Sequence, residues 1–194
     1  MSIGWKSFSL EEAIAKIDTA EGVTAELFDE KGEGDAKKIL PYLRPYMAVL
    51  DFGAGIGRIA KHIAPSVDIL FCYDPETSMC VYGRKWCHGL DNLVWLWKLD
   101  SIPENSLDFV YSFLTFQHIP FDDYMLDIKK IAYLMKSKAE GLFHYLYLDK
   151  EYPYHSYTVK NVVASLLPFF SLQKIMLDDC EPNRFFTVLV KRRG

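Results

Sequence analysis

The 194-residue sequence has no CxxC pair, no apolar run near the roughly 18 residues that a membrane helix needs, and no surplus of positive charge. Its four cysteines, at positions 72, 80, 87 and 180, follow no metal-like spacing, so no metal site is expected and reduced thiols are the plain reading. Cys87 and His88 form one adjacent pair, of the kind that is ordinarily structural. The opening "MSIGWKSFSLEEAIAKI" lacks the basic-then-apolar pattern of a leader, and together with the missing apolar run this leads us to expect a cytoplasmic protein with no membrane partner. A formal charge of −4 disfavours a protein that lives on phosphate backbones, so nucleic acid is not an expected partner, and "KRR" at 191–193 reads as a solvated strand terminus. Repeats, linkers and low-complexity tracts are missing too, which leaves one domain with a full core.

What is present alternates. Ser9 opens a capping box with Glu12, predicting a first helix from residue 10 to about 18. In "FDEKGEGDAKKIL", Gly32 and Gly34 predict a turn and Asp35 the cap of a short helix. Strands are then expected at 47–52, 67–73, 92–99, 107–114 and 141–148, with helices at 57–64, 76–88 and 121–136. The last of these helices presents Met125, Ile128, Ala132 and Met135 on one face, and Trp95 and Trp97 form one core face of the third strand. Near-continuous apolar strands alternating with helices indicate a parallel sheet covered on both sides. "FFSLQKIML" and "RFFTVLVKR" flank "DDCEPN", a link too short for a crossover helix, so the closing pair must be antiparallel.

Strand one runs into "VLDFGAGIGRIA", residues 49–60. Glycines at 53, 55 and 57 let the backbone take positive φ and come close to a ligand. The spacing is GxGxG rather than the dinucleotide GxGxxG, and no Gly-Lys-Ser or Gly-Lys-Thr follows as in a P-loop. Asp51, two positions ahead of the first glycine, would repel a pyrophosphate and attract an ammonium group. Asp74 ends the second strand, where such folds place a carboxylate for ribose hydroxyls, and Asp100 ends the third. A ligand with a ribose, an ammonium end and no required phosphate fits S-adenosylmethionine better than NAD.

On these residues, together with "FDEKGEGDAKKIL", "YDPE" and "YSFLTFQHIP", the chain resembles the class I S-adenosylmethionine-dependent methyltransferases, in particular small bacterial methyltransferase-domain proteins. The resemblance implies a Rossmann-like three-layer α/β sandwich around a mostly parallel seven-stranded sheet, in the order 3-2-1-4-5-7-6 with strand 7 antiparallel. It implies a single domain over 1–194, with 1–46 as an N-terminal helical cap and 47–194 as the core. Asp51, Gly53, Ala54, Gly55 and Gly57 would hold the methionine end of the cofactor. Asp74 would bind the ribose beside Pro75, while Asp100, Ser101 and Ile102 would frame the adenine. Phe113 and Leu114 would form the floor under the sulfonium. The "LKPGG" common ahead of strand five is replaced here by "LMKSKAEG", so that turn is expected to differ.

Methyl transfer from a sulfonium is an in-line displacement, and a base is needed only where the nucleophile must lose a proton. His118, after strand four, is the candidate base; its alternative is bracing the helix that Pro120 initiates. Gln117 is a candidate cofactor or substrate contact. His144 fits a packed core position or a residue facing the pocket. Trp5 and Phe8 could close over the cofactor or simply pack, and Arg58 could meet the cofactor carboxylate or lie exposed. "DKEYPYHSY" (149–157), with three tyrosines and His155, could wall the substrate or lie on its own domain. After strand four there is no Pro-Pro clamp of the amino-methylating nucleic-acid enzymes, and no Pro-Cys pair occurs for ring-carbon methylation. The expected activity is methyl transfer to O or N of a small-molecule or sugar-like acceptor. The competing reading is a catalytically silent methyltransferase-like subunit that scaffolds a partner, and an NAD oxidoreductase is disfavoured by the loop.

Overall fold

The computed structural model describes residues 4–18, 20, 22–147, 158–178 and 184–194. The predicted aromatic segment 149–157, including His155, and the link at 179–183 with Cys180 lie outside them. Seven strands form one sheet in the order β3-β2-β1-β4-β5-β7-β6, with β7 antiparallel to its neighbours. That is the order implied by the resemblance. Two compact units, Met1–Ser101 and Ile102–Gly194, make up the chain.

In the first unit, α1 (Leu10–Ile17) starts as its sequence dictates: the Ser9 hydroxyl accepts from Glu12 N–H, and the Glu12 carboxylate accepts from Phe8 N–H. The predicted turn at Gly32 and Gly34 does not exist. Both glycines lie inside α2 (Ala25–Ile39), which Thr24 caps. Asp35 caps nothing and instead pairs with Arg58 at 2.8 Å. Gly32 serves contact rather than bending: an added Cβ would stand 2.2 Å from the Arg58 carbonyl oxygen, whereas one at Gly34 would meet nothing within 4 Å.

Three parallel strands follow, β1 (Ala48–Phe52), β2 (Ile69–Tyr73) and β3 (Leu93–Leu96), with Phe52 level with Tyr73 and Tyr73 with Leu96. The helix expected at 57–64 shrinks to α3 (Ala60–Ile63), because Gly57 at φ 82° is not helical and Pro65 enters a 3-10 turn behind it. The cap of α4 (Thr77–Trp86) is the Glu76 side chain. β3 is shorter than expected; Trp95 is buried, but Trp97, beyond the strand's end, is 52% exposed and not core.

The second unit holds β4 (Leu107–Phe113), α5 (Phe121–Leu134), β5 (Met135–Tyr147), α6 (Val159–Leu166), β6 (Phe170–Asp178) and β7 (Arg184–Arg192). Here "LMKSKAEG" forms no turn: Leu134 ends α5, Met135 already pairs with Leu107 rather than extending the helix to 136, Glu140 pairs with Phe109, and residues 136–139 bulge out opposite Asp108. Lys138 takes φ 65° in that bulge, and Lys136 ties it to Asp108 at 2.6 Å. The buried face of α5 is Tyr124, Ile128, Ile131, Ala132 and Leu134; the predicted Met125 is only half-buried. α6, absent from the sequence reading, is capped by Thr158 and docks through a buried hydroxyl relay from Tyr145 to Tyr124 (3.1 Å) and on to Ser165 (2.9 Å).

Gly32 and Gly34 make a matched pair. Gly34→Ala should stabilise the protein by up to about 1 kcal/mol through helix propensity. Gly32→Ala should cost about 1–3 kcal/mol, because a backbone carbonyl cannot step aside cheaply. Urea unfolding of the two variants checks both signs.

Candidate functional site

The turn after β1 is built from three residues that only glycine fills without strain: Gly53 at φ 82°, Gly55 at φ 55° and Gly57 at φ 82°. Four of its amides are spoken for. Gly53 and Ala54 N–H both donate to the Tyr73 carbonyl, at 2.9 and 2.8 Å, and Gly57 N–H donates to the Ala54 carbonyl at 2.8 Å. Gly55 N–H donates to Asp74 Oδ2 at 3.0 Å. A phosphate-binding loop points such amides at its ligand; this one spends them on β2 and on a carboxylate.

Asp74 holds two segments together, since its other oxygen accepts from Glu76 N–H at 2.9 Å, just ahead of α4. Burial pushes its carboxyl up to about 6, against the opposing pull of the two amides. Asp51 is also buried, at the end of β1. Pro75 is exposed next to Asp74, and Asp100 and Ser101 are exposed on the 3-10 turn Leu99–Ser101.

Side chains the sequence did not single out support the turn. Ile56 plugs into a cluster with Ala13 and Ile14 of α1, Phe28 of α2 and Met79 of α4, and Trp5 packs against it. Phe8 does not share that packing and is 74% exposed. Ile17 lies over Gly55, where an added Cβ would come within 2.8 Å of its Cδ1. Gly57 is closed off by Cys87 Sγ and the Trp95 ring, at 2.8 and 2.9 Å from the same imagined atom. Cys87 is thus a packing residue, its thiol pushed up to about 12 by burial, while His88 faces outward. Arg58 is not exposed; it is largely buried in its ion pair with Asp35. Among the described residues no group of His, Cys, Asp and Glu could hold a metal ion.

In the second unit, β4 ends at the buried Phe113, and Leu114 then adopts φ 55°, a left-handed conformation rare for a branched side chain and costing on the order of 1–3 kcal/mol. Thr115 Oγ1 donates back to the Phe113 carbonyl at 3.1 Å. A 3-10 turn, Phe116–His118, follows. Phe116 is locked among Tyr124, Phe143 and Tyr145, which leaves Gln117 buried and His118 half-buried as the next two residues. The Gln117 amide oxygen has no hydrogen-bond donor among the described residues. His144 is packed, stacked between Phe113 at 4.8 Å and Phe185 at 5.0 Å. Ile102 is buried at the start of this unit.

Residues 50–140 match the family model described as a methyltransferase domain. No curated protein matches the chain. Among solved structures, it is similar to an S-adenosylmethionine-dependent methyltransferase from Aquifex aeolicus, with 18% identity, TM-score 0.73, and coverage of 96% of this chain and 100% of that one. The magnesium protoporphyrin IX methyltransferase of Synechocystis, crystallised with bound SAH, is similar at 12% identity and TM-score 0.74, covering 94% and 93%. The cyclase SpnF is similar at 9% identity and TM-score 0.72, covering 83% and 80%. At these identities the likeness shows the fold.

Asp74 yields a pH prediction. A carboxyl whose folded value lies above its unfolded value contributes stability that is complete below about 4 and lost as pH rises through about 6. Asp127, lifted to about 6 by burial and by Asp123, titrates in the same range, so Asp74 must be read by difference. Asp74→Asn is neutral at every pH; its melting temperature relative to wild type should rise between about pH 4.5 and 7. A flat difference would contradict the assignment.

Proposed function

We propose that this chain, which has the S-adenosylmethionine-dependent methyltransferase fold and a methyltransferase domain over residues 50–140, transfers a methyl group from S-adenosyl-L-methionine to O or N of a small-molecule or sugar-like acceptor. The observation that carries this reading is the glycine turn: the Gly53 and Ala54 amides are consumed by the Tyr73 carbonyl, that of Gly55 by Asp74 and that of Gly57 by Ala54, so these four N–H groups are not offered to an anionic ligand, and a carboxylate stands beside them. That suits a cationic nucleoside and disfavours a dinucleotide pyrophosphate.

Each Asp74 oxygen accepts one backbone N–H and keeps a lone pair for a ribose hydroxyl. Asp51 receives the ammonium of the methionine end along Gly53, Ala54, Gly55 and Gly57, and Pro75 borders the ribose. Asp100, Ser101 and Ile102 take the adenine, and Phe113 and Leu114 face the sulfonium. The bound cofactor supplies an electrophilic methyl carbon on a sulfonium that departs as a neutral thioether. The protein's work is to align the acceptor with that bond and exclude water. His118 is assigned to accept the proton of a hydroxyl acceptor as the new C–O bond forms.

Calorimetry tests the reading. S-adenosylmethionine and its demethylated product should both bind and NAD should not. Asp51→Ala and Asp74→Ala should each weaken binding about 10- to 100-fold in a folded protein, the cost of losing a charged hydrogen-bond partner. Affinity should fall as pH drops below about 6, where Asp74 takes up its proton. Failure of both sulfur compounds to bind overturns the proposal; binding without turnover on any acceptor favours the silent scaffold.

A further inference from the structure

The segment that leaves β4 carries two features at odds with plain packing. Leu114 is held at φ 55°, a backbone state rare for a branched side chain. Three residues on, Gln117 is only 5% exposed, and its amide oxygen is buried with no hydrogen-bond donor among the described residues. Side chains on a 3-10 turn project about 120° apart. Phe116 takes the direction into the cluster of Tyr124, Phe143 and Tyr145, so Gln117 does not share it. Buried side-chain acceptors are normally paired, and one left without a donor is destabilising. A methionine of similar length would remove that cost, so the carboxamide calls for a reason other than filling space.

We propose that Gln117 is an electrostatic positioning residue for the sulfonium of the cofactor, and that it makes the site favour charged S-adenosylmethionine over its neutral demethylated product. The proposal rests on the functional reading above, in which Phe113 and Leu114, at the head of the same segment, face the sulfonium. A sulfonium is a cation without an N–H or O–H to donate. It is stabilised by the negative ends of dipoles, not by ordinary hydrogen bonding. The Gln117 oxygen is such a dipole end, and no donor among the described residues offsets it. In buried, low-dielectric surroundings a dipole acts on a charge more strongly than in water. A carboxylate in its place would cost more to bury and would itself be a nucleophile for the methyl group, whereas a carboxamide is neutral and a poor one. Once the methyl group has left, the thioether carries no charge and this attraction disappears. Gln117 thus holds the reactant and lets the product go.

Calorimetry of the full chain with S-adenosylmethionine and with its demethylated product tests the proposal. Gln117→Met keeps the length of the side chain and removes the dipole. It should weaken S-adenosylmethionine about tenfold, and leave the neutral product within about twofold of wild type, since only the charged ligand loses a partner. Without either compound, Gln117→Met should melt about 2–4 °C above wild type, because an unpaired buried group has gone. A purely structural amide predicts the opposite shift. Gln117→Leu repeats both measurements should the methionine variant not fold. An unchanged affinity ratio, equal weakening of the two compounds, or variants that melt below wild type would each overturn the role of Gln117 and leave the methyltransferase reading standing. A wild type that binds neither compound overturns both.

Discussion

The candidate site depends first on the Asp74 carboxylate. One half-buried side chain fixes the turn after β1 through Gly55 N–H and the entry to α4 through Glu76 N–H. Three left-handed glycines make the turn possible; Asp74 and the Tyr73 carbonyl decide where it lies. Burial lifts the carboxyl while the two amides hold it down, leaving an acid that titrates close to neutrality. Two thiols that feel the Asp51 charge are kept neutral by burial. Burial and the Asp51 charge both raise Cys72 and Cys87, so these thiols stay protonated beside the acids and add no competing charge.

Much of the fold was legible because buried parallel strands read as near-continuous apolar runs. β1, β2 and β4 fall within two residues of their predicted bounds. The failures arise where tertiary contact overrides a local signal. Gly32 and Gly34 carry the composition of a turn, but one is needed for the approach of α2 to the Arg58 carbonyl and the other is merely tolerated in an exposed helical position. Asp35 has the chemistry of a cap and is used as an ion-pair partner. The segment 136–139 has no strand periodicity, and the pairing on either side of it, Leu107 with Met135 and Phe109 with Glu140, cannot be read from one strand alone. Trp97 continues an apolar run one residue past the point where β3 stops.

The site divides along the same line. Residue type announces Gly53, Gly55, Gly57 and Asp74, because positive φ and a strand-end carboxylate have compositional signatures. Ile17 over Gly55 and the Tyr73 carbonyl beneath Gly53 and Ala54 have none. One is an ordinary helix residue and the other a main-chain atom, and only the folded chain reveals which amides are consumed. That knowledge carries chemical weight, since the same fold also serves a cyclase, SpnF. The scaffold admits several reactions, and the donors and acceptors left uncommitted at the turn narrow them.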